Sequence, residues 1–128
     1  MRYLGIDYGS KRIGVAISDE DGKIAFPEAV VPNDKNAVDA ISFLIIGKGV
    51  EKVIVGQSNN FLGQPNKIQE EIDHFAKKLK AKEIELDVIF EPEFLTSSQA
   101  MAITGKNESI DASAAAIILQ SFLDKVKN

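Results

Sequence analysis

Three carboxylates in this sequence stand where a carboxylate can do chemistry. Asp7 follows the apolar run Leu4-Gly5-Ile6, directly before the turn Gly9-Ser10-Lys11. Glu93 closes Glu91-Pro92-Glu93, just after the apolar stretch from Leu86 to Phe90. Asp111 opens the small-residue run Ala112-Ser113-Ala114-Ala115-Ala116. A buried carboxylate is costly unless something pairs with it, and clustered carboxylates repel one another unless a cation sits among them. The chain has no cysteine, and His74 is its single histidine. An oxygen donor set of this kind suits Mg²⁺ or Mn²⁺ rather than zinc. Two such ions can activate a water and stabilise the leaving oxygen in phosphodiester cleavage. Each acid also has a plainer reading: Asp7 as a turn aspartate, Asp111 as a helix-start carboxylate, Glu93 as a solvated loop residue. Glu91 is the alternative third acid if the register shifts by two.

The elements that must position these acids can be read from the apolar spacing. Residues 2–7 and 12–18 read as an antiparallel hairpin, and Ile24 to Val31 extends the meander, with Pro27 marking an edge strand or a bulge. Asn33-Asp34 predicts the start of a helix that runs to about residue 48, with Ala37, Val38, Ile41, Leu44 and Ile45 inward and Gly47 and Gly49 ending it. Val53-Ile54-Val55 has the all-apolar pattern of a buried parallel strand. A polar loop from Gly56 to Gln64 leads to Pro65, which suits the first position of a helix carrying Ile68, Ile72, Phe75, Ala76 and Leu79. Leu86 to Phe90 is a further strand. A short helix is expected over about 97–104, and a last helix from Ser109 or Asp111 to about Lys125. The order βββαβαβαα predicts an α/β fold, a mixed five-stranded sheet with helices on both faces, in one domain spanning 1–128. That order is also the one found in RNase H-like domains.

Composition narrows the classes. The 128 residues are 45% hydrophobic and 27% charged, ordinary for a globular protein. The net charge of −4 argues against non-specific coating of nucleic acid, though bound divalent cations would change the local sign. No apolar run reaches spanning length, Arg2 and Asp7 interrupt any signal-like segment, and the lack of cysteine fits a reducing compartment; the expectation is a cytoplasmic protein without a membrane partner.

Alternation along the first strand puts Gly5 and Asp7 on one face, and Gly14 and Ala16 continue that face on the second strand. The last helix begins with an equally small surface, Ala112 to Ala116. Docking of the two surfaces would bring Asp111 toward Asp7. Lys11 and Arg12 are either phosphate contacts beside such a site or exposed turn cations. Lys67, Lys77, Lys78, Lys80 and Lys82 alternate with acids, as on a solvated helix face. His74 reads as a helix-surface histidine and Tyr8 as a packing residue.

Four ordered segments point further. Gly5-Ile6-Asp7-Tyr8-Gly9-Ser10-Lys11-Arg12-Ile13-Gly14-Val15-Ala16 with Ser18-Asp19, Val55-Gly56 with Asn60 and Gly63, Leu95-Thr96-Ser97 with Ala100, and Ile110-Asp111-Ala112 through Asp124 together resemble the YqgF/RuvX family. These are pre-16S rRNA nucleases related to Holliday junction resolvases of RNase H fold. The resemblance implies Asp7, Glu93 and Asp111 as the catalytic, metal-binding triad for Mg²⁺ or Mn²⁺, with Lys11, Arg12 and Asn60 on the substrate. It implies processing of the 5′ end of precursor 16S rRNA, with the ribosome as a further partner; the sequence leaves the oligomeric state, monomer or weak dimer, open. Resolution of branched DNA, or nucleic-acid binding with impaired catalysis, are the alternatives. Two departures stand out: Pro92-Glu93-Phe94 replaces the family's Asp-Glu-Arg, and the loop from Gln57 to Gly63 lacks its Leu-Pro and its acid.

Overall fold

The computed structural model describes residues 1–57, 67–83, 85–92 and 110–126. Its elements are β1 (Arg2–Tyr8), β2 (Arg12–Ser18), β3 (Ala25–Pro32), α1 (Ala37–Lys48), β4 (Val50–Gln57), α2 (Lys67–Lys82), β5 (Asp87–Pro92) and α3 (Ile110–Val126). The strands form one sheet in the order β3-β2-β1-β4-β5. β1 runs antiparallel to β2 and parallel to β4, and β5 is parallel to β4. The mixed sheet expected from the element order is therefore present. Pro65 and the helix expected over 97–104 lie outside the described residues.

Strand alternation divides the core in two. Leu4, Ile6, Ile13, Val15, Val53 and Val55 face α1 and α2, where Ile41, Ile45, Ile72, Phe75 and Leu79 cover them. Ala16 and Ile54 face the other way and pack on Ala115, Ala116, Ile118, Leu119 and Leu123 of α3. Helices thus cover both faces, as a sheet with buried parallel strands requires. No described helix is long and apolar enough to cross a membrane.

Pro27 meets both of its expectations. β3 is an edge strand, and its register on β2 slips between Val15–Ala29 and Ala16–Pro27, leaving Glu28 as the extra residue of a bulge. The start of α1 is corrected. Asp34 spends its carboxylate on the Asn36 backbone N–H at 2.9 Å, a turn contact that delays the helix to Ala37. Its end comes at Gly49 alone, whose φ of 66° is the left-handed cap, while Gly47 stays inside the helix.

Candidate active site

The site is built on one close approach. A β-carbon at Gly5 would lie 2.7 Å from Leu119 Cβ and 2.9 Å from the Ala115 carbonyl oxygen, so α3 rests on the backbone of β1. Further along, Phe122 meets Tyr3, their rings 5.9 Å apart. Where α3 crosses β1, later helix residues therefore meet earlier strand residues. Asp111 is one turn before Ala115, about 6 Å back along the helix. Asp7 is two residues past Gly5, about 7 Å forward along the strand. The two offsets match, and the first turn of α3 is directed to the end of the sheet where Asp7 stands.

Asp7 is half-buried and paired in register with Gly14 of β2. On its other side, one residue past the Ile6–Val55 pairing, β4 presents Gly56. Both cross-strand neighbours of Asp7 thus lack a side chain. The contribution of Gly56 was not foreseen, because the sequence does not say that β4 is the neighbour of β1. The next position in this row is Glu91, paired with Gly56. Its carboxylate is buried and accepts hydrogen bonds from Ser121 Oγ at 3.0 Å and Lys125 Nζ at 2.6 Å. Glu91, the alternative third acid, is thus occupied in tying β5 to α3.

The opposite flank of α3 is tied as well. Gln120 Oε1 accepts the Ala25 backbone N–H at 2.9 Å, and its Nε2 donates to the Lys23 carbonyl at 3.0 Å. Those partners belong to the β2–β3 turn, which Ser18 and Asp19 organise. Ser18 Oγ takes the Tyr3 N–H at 2.8 Å, and Asp19 Oδ1 takes the N–H groups of Lys23 at 2.7 Å and Ile24 at 3.1 Å. The Ile24 and Lys23 backbone N–H groups hold the Asp19 carboxyl below its ordinary pKa. Ser18, Asp19 and Gln120, all members of the motifs quoted above, are scaffold residues here.

Lys11 and Arg12 lie at the β1–β2 turn and are exposed. The turn is held from outside by Asn33, whose Nδ2 donates to Gly9 O at 2.8 Å and whose backbone N–H donates to Lys11 O at 3.0 Å. Gly9 has no space for a side chain, since a β-carbon there would lie 2.5 Å from the Arg12 carbonyl oxygen. Two of the α2 lysines are engaged: Lys80 donates to the Leu86 carbonyl and Lys82 pairs with Asp39. That agrees with a solvated helix face. His74 is exposed on α2, and Tyr8 packs its ring 5.3 Å from Phe75 on the α1–α2 side. Asn60 and Glu93 lie outside the described residues, and Asp111 is placed by its backbone as the second residue of α3. Among the described residues, no three acidic, histidine or cysteine side chains gather into a metal-sized group.

This sheet, with α3 laid across its small-residue face, is the RNase H-like fold of the resolvases. The fowlpox virus resolvase, solved with Holliday junction DNA, superposes with a TM-score of 0.66 at 15% identity over 100% of both chains. RuvC of Thermus thermophilus, solved with a Holliday junction substrate, gives 0.62 at 17% identity over 100% of this chain and 96% of that one. The profile of the RuvX family, described as Holliday junction resolvase, matches residues 1–125. A protein of Caldanaerobacter subterraneus named "Putative pre-16S rRNA nuclease" is 37% identical, over 100% of this chain and 99% of its own length. One of Bacillus cereus with the same name is 35% identical over 98% and 99%. The chain belongs to the RuvX family. It is by family a hydrolytic nuclease, and nucleic acid is its partner.

Proposed function

We propose that the chain is a single-domain, divalent-metal-dependent endonuclease of the cytoplasm that processes the 5′ end of precursor 16S rRNA. The observation that supports this most is the seating of α3 on Gly5, which directs its first turn to the Asp7 end of the sheet. The names of the relatives supply the substrate. Asp7, Glu93 and Asp111 would hold Mg²⁺ or Mn²⁺, and the glycines flanking Asp7 suit an ion-sized group beside it. When bound, such ions supply activation of water and stabilisation of the leaving oxygen in hydrolysis of the phosphodiester. The protein's own part is positioning. Asp7 is fixed in the central strand, α3 is tied on both flanks, and the turn bearing Lys11 and Arg12 is braced by Asn33 so that its cations meet substrate phosphates. Asn60 adds a substrate contact.

The test is cleavage of precursor 16S rRNA and of four-way DNA junctions in Mn²⁺, comparing wild type with Asp7→Asn. Wild-type cleavage of the rRNA that falls to background in Asp7→Asn is the expected result. Equal activity of the two proteins would remove Asp7 from the site. Preference for the four-way junction, which the family's description favours, would keep the site and reassign the substrate.

A further inference from the structure

Glu91 is an expensive residue where it stands. Its side chain is 5% exposed, and a buried ion pair often adds less stability than apolar side chains of the same volume. One of its oxygens, Oε2, accepts from both Ser121 Oγ at 3.0 Å and Lys125 Nζ at 2.6 Å. Those donors are four residues apart, so they lie on one face of α3, a turn from each other. A single carboxylate at the end of β5 therefore holds both the rotation of α3 about its axis and its slide along the sheet.

We propose that Glu91 is a positioning residue for the candidate site, joining the segments that carry all three of its acids. The inference rests on the nuclease reading. α3 carries Asp111, ten residues before Ser121 on the same helix. β4 sets Gly56 between Asp7 and Glu91 in one row across the sheet. Glu93 follows Glu91 by two residues, with Pro92 between them. Proline fixes its own φ and confines the residue before it to extended backbone, so little freedom separates the anchored Glu91 from Glu93. Pro92, one of the departures from the family's Asp-Glu-Arg, gains a use here: it stiffens the link. Side chains reach about 5–6 Å from a helix axis, so a rotation of α3 by roughly 20° would carry Asp111 about 2 Å. A misplacement of about 1 Å can cost about a hundredfold in rate.

The test separates position from stability. Glu91→Leu combined with Lys125→Met replaces the ion pair by apolar side chains of similar size, and the melting temperature should match or exceed that of wild type. The kcat on precursor 16S rRNA in Mn²⁺ should nevertheless fall at least tenfold with KM unchanged. The Mn²⁺ dissociation constant, measured by calorimetry without RNA, should rise at least threefold. Glu91→Gln keeps the acceptor for Ser121 and should recover most of both, although it melts lower than the double variant. Ser121→Ala removes one donor from an exposed residue and decides the matter should the double variant not fold, with kcat expected to fall about threefold at an unchanged melting temperature. Wild-type kcat and Mn²⁺ affinity in the folded variants, or losses that follow the melting temperature, would overturn the proposal. Wild type no more active than Asp7→Asn would instead remove the nuclease reading, and this inference with it.

Discussion

At Gly5 two surfaces touch with no side chain between them, and the size of that gap makes the residue a sensitive probe of the site. An added methyl would press on Leu119 and on the Ala115 carbonyl at under 3 Å, and the second of these is backbone that cannot swing aside. Gly5→Ala should therefore cost about 1–3 kcal/mol, the usual range for overpacking, and lower cleavage further by lifting α3 and Asp111 away from Asp7. A melting scan and a cleavage assay on one preparation check both. An unchanged melt would mean that α3 does not rest on β1. The Glu91–Lys125 pair offers a test of opposite logic, because its two ends differ in exposure: the Glu91 side chain is 5% exposed and that of Lys125 is 60%. Lys125→Met strands a buried carboxylate with Ser121 alone and should cost about 2–3 kcal/mol. Glu91→Gln leaves only an exposed lysine behind and keeps an acceptor for Ser121, for about 1 kcal/mol. Urea melts of the two variants measure the order. Equal losses would deny that the carboxylate is desolvated.

Among the elements, the β2–β3 turn decides how α3 is held on its outer flank, and its stability should follow one carboxylate. The Ile24 and Lys23 N–H groups stabilise ionised Asp19 in the folded chain, so its folded pKa lies below the unfolded one. Its contribution is then complete above the unfolded carboxylate range and is lost as the pH falls through the folded value. Asp19→Asn should be less stable than wild type at neutral pH, and the gap should close as acid is added; a gap constant with pH would mean that the ionised form is not what the turn prefers. This turn also shows what could be read in advance. The seating of Gly5 and Ala16 on Ala115 and Ala116 was legible because strand alternation and the alanine run of the helix make both surfaces small. The ties that orient α3 were not, since Gln120 and Lys23, or Ser121 and Glu91, are joined only once the sheet order is known. The start of α1 was misplaced by the same blindness: Asp34 has the chemistry of a helix cap but is used by a turn. On α1 periodicity was enough: Ala37, Val38, Ile41, Leu44 and Ile45, read as the inward stripe, are the residues that meet the core, while Phe43 and Ile46 lie off it and are exposed.

The candidate site draws on both ends of the described fold, since β1 and α3 are its first and last described elements. The chain carries a net charge of −4, unusual company for a polyanion. An acidic protein that neutralises few phosphates releases few counterions, so its binding should depend weakly on salt. If Lys11 and Arg12 are the cations that meet the backbone, log K against log salt should fall with a slope of roughly −1.4 to −1.8, from about 0.7–0.9 per phosphate. Lys11→Ala should reduce the magnitude of that slope by about one contact, equally on different sequences, because phosphate contacts carry no sequence information. Fluorescence anisotropy with a labelled precursor fragment, at fixed divalent cation and in an Asp7→Asn background to suppress cleavage, measures both quantities. A slope that Lys11→Ala leaves unchanged would place the β1–β2 turn outside the interface. A slope several times steeper would require a basic track elsewhere, and the engagement of Lys80 and Lys82 within the protein argues against α2 as its source.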